Sequence, residues 1–272
     1  SEADIAAPSV RGDPVGLLLG ERGVLGAPAL HRAALVQRAS GEIDVAVVGP
    51  TDAAWHLGPH TVRPASRNDP HGARPRAFNR AYGDLAPALP CAAAVAGGRV
   101  VAVGTEPLPI PLNGVVLEVP SPPPLGPVQI EVPGLRAGIG GGPRLLGEGA
   151  RHLASEDFAG SAPPVTFSRD ETFDTNRLPR LGAGVDPEGT LWVLAVDGRD
   201  LERAPGLTLE GTARVLEALG CVRAVNLDGG SSKRMVVAGR VVDLPSTDVA
   251  GGGPRGEAPV RPVRSAVLVR GR

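Results

Sequence analysis

Val225-Asn226-Leu227-Asp228-Gly229-Gly230-Ser231-Ser232 reads as a strand that stops abruptly at two glycines and two hydroxyls. The apolar run from Val222 to Leu227 supplies the strand, and side chains alternate along it, so Asn226 and Asp228 fall on one face. The turn Gly229-Gly230-Ser231-Ser232 exposes backbone N–H groups under little steric cover, a geometry that suits an anion. An acid beside an anion-accepting loop is suited to a phosphate ester at a reacting centre. The same Asp-Gly-Gly also reads as a plain turn signal.

Upstream of this stretch, Leu209, Ala213, Leu216 and Leu219 recur at near-helical spacing. Thr208 is a good N-cap and Gly220 a C-terminal stop. Before the helix, Gly182 to Val196 reads as a hairpin around Asp186-Pro187-Glu188-Gly189. Downstream, Met235-Val-Val and Arg240-Val-Val flank Ala238-Gly239 as another hairpin, and Ala266 to Val269 closes the chain as a strand. In the first half, Val15 to Leu19 and Val45 to Val48 read as strands, Pro28 to Ser40 as a short helix or a strand, and 58–76 as a loop. Ala92 to Val103 reads as a hairpin turning at Gly97-Gly98. The proline-rich run 120–127 is expected to be a surface crossing and the one linker, since it suits neither a helix nor a central strand.

Composition agrees with many short strands. The 272 residues include 38 Gly and 29 Pro, about a quarter of the chain, which disfavours a helical bundle. Apolar residues at 42% and a net charge of −1 exclude a disordered chain and leave no broad electrostatic footprint for nucleic acid. Aromatics at 3% give few platforms for stacking single-stranded bases. No apolar run of ~18 residues is present to form a transmembrane helix. The first residues, Ser1-Glu-Ala-Asp-Ile5, have neither a basic nor an apolar signal region, so the expectation is a cytoplasmic protein or a mature secreted form. Length fits one large domain or two small ones, with a single domain over 1–272 preferred.

Other chemistry-bearing residues are fewer. Arg180 and Arg199 are candidate forks for a phosphate, whose geometry a guanidinium matches in bidentate fashion. Asp197 ends the apolar run Leu191 to Val196, where a strand end enters a cleft or opens an Asp-Gly turn. His56 and His60 have a metal-pair spacing only on a helix, which Gly58-Pro59 disfavours. Cys91 and Cys221 are too few for a disulfide scaffold or a cysteine-rich zinc site. Gly140-Gly-Gly-Pro143 lacks both P-loop and dinucleotide spacing and reads as a strand-end turn; Gly251-Gly-Gly-Pro254 reads as a loop. No cofactor is implied; a divalent cation and the oligomeric state stay open.

Together these residues resemble the phosphodiester glycosidase family. Asn226-Leu-Asp-Gly-Gly-Ser-Ser232 is similar to its Asn-Leu-Asp-Gly-Gly-Gly-Ser signature. Ile139-Gly-Gly-Gly-Pro-Arg-Leu-Leu146, Pro179-Arg-Leu-Gly-Ala-Gly-Val-Asp186, Val196-Asp-Gly-Arg199 and Arg261-Pro-Val263 follow in the family's order. The likeness is best over 128–272, with 1–119 divergent or truncated. Ser231 replaces the third glycine, and Lys233-Arg234 replace threonines; this basic pair is expected to contact a more anionic substrate. The resemblance implies an α+β fold with mixed β-sheets and few helices, and a hydrolase that cleaves a glycosyl phosphodiester between the anomeric carbon and phosphate. It implies Asp228 and Arg180 as catalytic residues, the acid as base or stabiliser and the arginine as phosphate holder. Asn226, Gly229, Gly230, Ser231, Ser232, Asp197 and Arg199 are then substrate-binding or orienting residues, and the partner is a small sugar phosphodiester. A retuned enzyme for another phosphorylated sugar or nucleoside, and a non-catalytic carbohydrate or cell-envelope binder, are the alternatives.

Overall fold

The computed structural model describes residues 16–147, 150–151, 156, 176–200, 202–244 and 266–269. They fall into two compact units. The first is built from described residues within 1–42, 46–140 and 156–169, the second from those within 43–45, 141–155 and 170–272. The Pro-rich run 120–127 is therefore not the boundary: it lies inside the first unit, and the chain passes between units at 140–141.

In chain order the strands of the first sheets are β1 (Leu18–Gly20), β2 (Gly23–Gly26), β3 (Arg32–Arg38), β4 (Ile43–Val48), β5 (Ala54–Leu57), β6 (His60–Val62), β7 (Ser66–Arg67), β8 (Arg76–Phe78), β9 (Ala92–Ala96), β10 (Arg99–Gly104), β11 (Val115–Glu118), β12 (Gly126–Glu131) and β13 (Leu135–Gly140). One sheet has the order β2-β1-β13-β3-β4, the other β6-β5-β12-β10-β9-β11-β8-β7. Pairing is antiparallel except between β7 and β8. Trp55, Leu57, Val95, Val115 and Leu117 are among the fully buried side chains of its main core.

Several sequence readings meet their structure here. The ambiguous segment 28–40 is strand β3, whose Ala33 to Val36 are buried. The Ala92–Val103 hairpin forms as expected, as β9 and β10. The expected loop 58–76 carries the short strands β6 and β7, because β6 completes a hairpin with β5 around Gly58-Pro59. That hairpin leaves His56 and His60 on separate partners, Thr61 Oγ1 at 3.0 Å and Ser121 Oγ at 2.9 Å. Residues 120–125 are mostly exposed, but Gly126 and Pro127 open β12. Pro127 is tolerated there because only β10 pairs with it; pairing with β5 starts at Val128.

The second unit holds β14 (Arg144–Gly147), β15 (Ala150–Arg151), β16 (Arg180–Val185), β17 (Leu191–Val196), α1 (Leu209–Ala218), β18 (Arg223–Leu227), β19 (Val236–Val237) and β20 (Arg240–Val241). Its sheet runs β15-β14-β18-β16-β17, and β19-β20 is a separate hairpin. Thr208 caps α1, its Oγ1 accepting from Gly211 N at 2.9 Å. Leu209, Ala213 and Leu216 of α1 bury against Leu145, Leu146, Cys221 and Ala224. One α-helix among the described residues, beside sheets of which the eight-stranded one is mixed through its parallel β7–β8 pair, is the α+β arrangement the resemblance implied. The closing strand is a correction: Ala266 to Val269 are exposed and outside any strand, with no ladder partner among the described residues. Gly251 to Pro254 and Arg261 to Val263 lie outside the described residues.

Candidate active site

The site is built at one end of the second unit's sheet. Antiparallel register pairs Leu181 with Leu227 and Arg180 with Val196. Continuing the first ladder one step sets Arg180 opposite Asp228. Paired residues share a face, so Val196, Arg180 and Asp228 form a row across β17, β16 and the end of β18. It is the α1 face: a Cβ on Gly182, two residues along from Arg180, would lie 3.2 Å from Leu216 and 3.4 Å from Thr212.

Close backbone packing holds this end together. A Cβ on Gly198 would fall 2.4 Å from Pro179 N, one on Gly206 2.5 Å from Leu178 O, and one on Gly229 2.6 Å from Pro179 O. Three turns thus clasp Leu178-Pro179-Arg180, and no residue but glycine fits at the contacts. Leu178 and Leu207 exchange backbone bonds of 3.1 Å. Arg199, at φ 63°, brings its guanidinium over Gly230.

Each residue singled out in the sequence has a definite place. Arg180 is 3% exposed; Nε donates to Leu207 O at 3.1 Å and Nη2 to Asn176 O at 3.0 Å. Asp228 is exposed, just past β18. Asn226 is 1% exposed, with Nδ2 on Gly142 O at 2.9 Å and no donor to Oδ1 among the described residues. In the turn, Gly230 N is spent on Pro179 O, and Ser232 N and Lys233 N on Gly229 O. Those three amides are therefore not offered to an anion. Ser231 is buried, Ser232 half-buried and Arg199 exposed.

Lys233 overturns its expected role. It is 0% exposed, and its ammonium binds Asp197 Oδ1, Asp243 Oδ2 at 2.9 Å and Leu244 O at 3.2 Å. Arg234 donates to Asp243 Oδ2 at 3.1 Å. A buried ammonium needs such partners for all its donors, so Lys233 is an internal strut and not a substrate contact. Burial pushes the Asp243 carboxyl up, but Lys233, Met235 N and Arg234 outweigh it and hold the group below the usual range.

Beside the row lies a cleft of about 480 Å³, lined by Arg177, Val196, Asp197, residues 204–208 and Gly211. Asp197 therefore enters a cleft, one of the two readings of its sequence position. Asp228 does not line it. The sequence reading missed Arg177 and the 204–208 wall, for which the glycine two residues before the Thr208 cap was the one signal. Among the described residues no three His, Cys, Asp or Glu side chains gather as a metal cluster.

A family model described as phosphodiester glycosidase matches residues 113–270, more than half of the chain and the whole of this site. The chain belongs to the phosphodiester glycosidase family. The SPbeta prophage-derived uncharacterized protein YomE of Bacillus subtilis (strain 168) is 37% identical over 102 residues, 36% of this chain and 16% of that protein. Similar solved structures include a hypothetical protein from Synechocystis (20% identity, TM-score 0.47, 84% of this chain and 45% of that one). Another is a putative exported protein from Burkholderia pseudomallei K96243 (22%, 0.47, 90% and 60%). The auto-inhibited catalytic domain of zebrafish N-acetylglucosamine-1-phosphodiester alpha-N-acetylglucosaminidase is also similar (17%, 0.35, 86% and 82%). The chain spans less than two thirds of the length of the first three of these relatives. No helix among the described residues is long and apolar enough to cross a membrane.

Proposed function

We propose that this family member hydrolyses a glycosyl phosphodiester, breaking the bond between the sugar's anomeric carbon and the phosphate oxygen. Family membership supports the reaction class. The observation that carries the residue roles is the row Val196–Arg180–Asp228, with an exposed carboxylate at its end and the Arg199 guanidinium on the adjoining turn.

In this reading water oxygen bonds to the anomeric carbon through an oxocarbenium-like state, and the C–O bond's electron pair leaves with the phosphate as a phosphomonoester. Asp228 takes a proton from the water and returns it to solvent. A phosphate leaving group makes strong general-acid help less necessary. Arg199 contacts a non-bridging phosphate oxygen. Arg180 acts as a positioning residue: two of its donor nitrogens are already held by backbone carbonyls, which fixes the segment beneath the site. Asn226 stitches β18 to Gly142, and the Gly229–Ser232 turn sets the aim of Asp228.

The test is release of reducing sugar from a methyl phosphodiester of N-acetylglucosamine 1-phosphate, beside a simple aryl phosphodiester, with and without EDTA or added Mg²⁺. Asp228→Asn is expected to lower turnover about 10²–10⁴-fold, the usual span for a general acid or base. Unchanged turnover in that variant overturns the assignment. Equal turnover of the aryl diester points instead to a retuned phosphodiesterase, and binding without turnover to a carbohydrate-binding protein.

A further inference from the structure

Strand β17 ends its sheet and pairs on one side only, with β16. The phase of that ladder tells which backbone groups lie on the other side. Asp186 N donates to Thr190 O, so this pair is hydrogen-bonded, and bonded pairs then alternate along the strands as Gly184–Trp192, Gly182–Leu194 and Arg180–Val196. The N–H and C=O groups of Leu191, Val193 and Ala195 therefore point away from β16, and they meet no backbone partner among the described residues. Sheets ordinarily blunt such an edge with a short strand, a charge, a proline or a bulge. The end strands β2, β6, β7 and β15 have two to four residues, and β4 carries Asp44. β17 has six residues, all apolar, in unbroken register with β16. None of the six is buried, and Trp192 and Val193 are 36% and 40% exposed.

The three outward residues are centred on Val193, so a two-fold axis there makes the edge its own complement. Two antiparallel copies of β17 then set Val193 opposite the partner's Val193 and Leu191 opposite the partner's Ala195, each pair exchanging two N–H···O=C bonds. No charge lies within the shared ladder. The acidic turns, with Asp186 and Glu188, fall at opposite ends, each beside the partner's loop after β17. In that loop Lys233 balances Asp197, and Arg199 and Arg203 match Asp200 and Glu202 in number. The chain's own apolar segment Ala266 to Val269 is exposed and in no ladder, so it leaves this edge open. We propose that β17 is the subunit contact of a homodimer, in which two copies join their five-stranded sheets edge to edge by main-chain hydrogen bonds.

The experiment is sedimentation equilibrium of the full chain between about 1 and 300 μM, a range that brackets micromolar association. The mass should rise toward twice that of the chain. Val193→Pro removes an N–H that β16 does not use, which an edge strand tolerates, and deletes both bonds at the axis. It should raise the dissociation constant at least tenfold with the far-ultraviolet circular dichroism unchanged. Val193→Lys places a charge on the edge and should do the same, so the outcome does not hang on one substitution. Hydrogen-bonded antiparallel partners have Cα atoms about 5.5 Å apart, within disulfide reach. Val193→Cys should thus cross-link two copies under a mild oxidant, whereas Val236→Cys, exposed on another hairpin, should not. A chain that stays monomeric throughout, a dimer untouched by Val193→Pro and Val193→Lys, or equal cross-linking in Val193→Cys and Val236→Cys overturns the proposal. So does a monomer in which Val193→Cys and Val267→Cys close a disulfide within one chain, which gives the edge to the chain's own segment.

Discussion

Arg180 and Asp228 each lie one residue beyond the Leu181–Leu227 pair that ends the β16–β18 ladder. The two residues share a face but not an environment: the arginine is buried under the α1 entrance and the acid is exposed. The ladder therefore relays the position of one to the other through backbone, and the arginine's carbonyl partners fix that backbone.

Arg180→Lys tests this relay. Lysine keeps the charge but not the planar fork that reaches Leu207 O and Asn176 O together. Hydrogen bonds from a charged donor contribute about 1.5–3 kcal/mol each, and it is the buried side chain that would lose them. The variant should lose about 2–4 kcal/mol in urea denaturation and lose turnover with it. A variant as stable as the parent means the carbonyl contacts are dispensable.

Gly229→Ala separates close packing from turn geometry. Its Cβ would sit 2.6 Å from Pro179 O, a backbone atom that cannot swing away. Gly239, at φ 76°, has nothing within 4 Å of a Cβ, so alanine there meets only the ~1–2 kcal/mol left-handed penalty. Denaturation midpoints should fall further for Gly229→Ala than for Gly239→Ala. The reverse order would show that the clasp on Leu178–Arg180 is loose.

Acid should weaken the first unit through Glu118. Burial pushes its carboxyl up, but Arg76 and Arg74 outweigh burial and hold it below the usual range. A lowered folded-state value means that stabilisation is complete above the unfolded value, about 4.3, and is lost as pH falls through the folded value. Melting temperature should therefore be insensitive to this group above about pH 5 and decline below about pH 4. Glu118→Gln should flatten the acid limb, at the cost of lower stability near neutrality from unpaired arginines. An identical acid limb in that variant would assign the loss elsewhere.

Local pattern made part of this structure legible. Leu209, Ala213 and Leu216 at helical spacing, with Thr208 before them, sufficed for α1. Asp186 to Gly189 and Gly97-Gly98 marked two hairpins, since turn chemistry acts within a few residues. What was not legible depends on distant partners. Lys233 looks like a surface charge until Asp197, 36 positions upstream, and Asp243 close around it. Arg180 looks like a ligand fork until Leu207 and Asn176 occupy it. The turn at Gly229 looks like an anion cradle until Pro179 O and Gly229 O take the amides of Gly230, Ser232 and Lys233. Ala266 to Val269 has the composition of a strand, but a strand needs a paired neighbour, which composition cannot supply.

Removing the α1 cap measures how far the cleft depends on the helix entrance. Thr208 Oγ1 accepts from Gly211 N, and both residues line the cleft. Thr208→Ala should cost about 1 kcal/mol, the usual worth of a cap. Thr208→Ser keeps the acceptor and should restore most of it. Equal losses in the two variants would implicate the threonine methyl instead.

Two buried thiols report the opening of each unit separately. Burial raises Cys91 in the first unit and Cys221 in the second, where Asp186 adds to the shift. Only the thiolate attacks an electrophilic reagent, so burial protects both by access and by ionisation. In native protein at pH 8, labelling by a disulfide reagent should be slow at both positions. With Cys91→Ser the remaining signal follows the second unit, and with Cys221→Ser the first. Labelling that accelerates at different urea concentrations in the two variants would show the units opening independently; coincident midpoints would show one cooperative transition. Rapid labelling of either thiol in the absence of denaturant contradicts the burial from which the prediction starts.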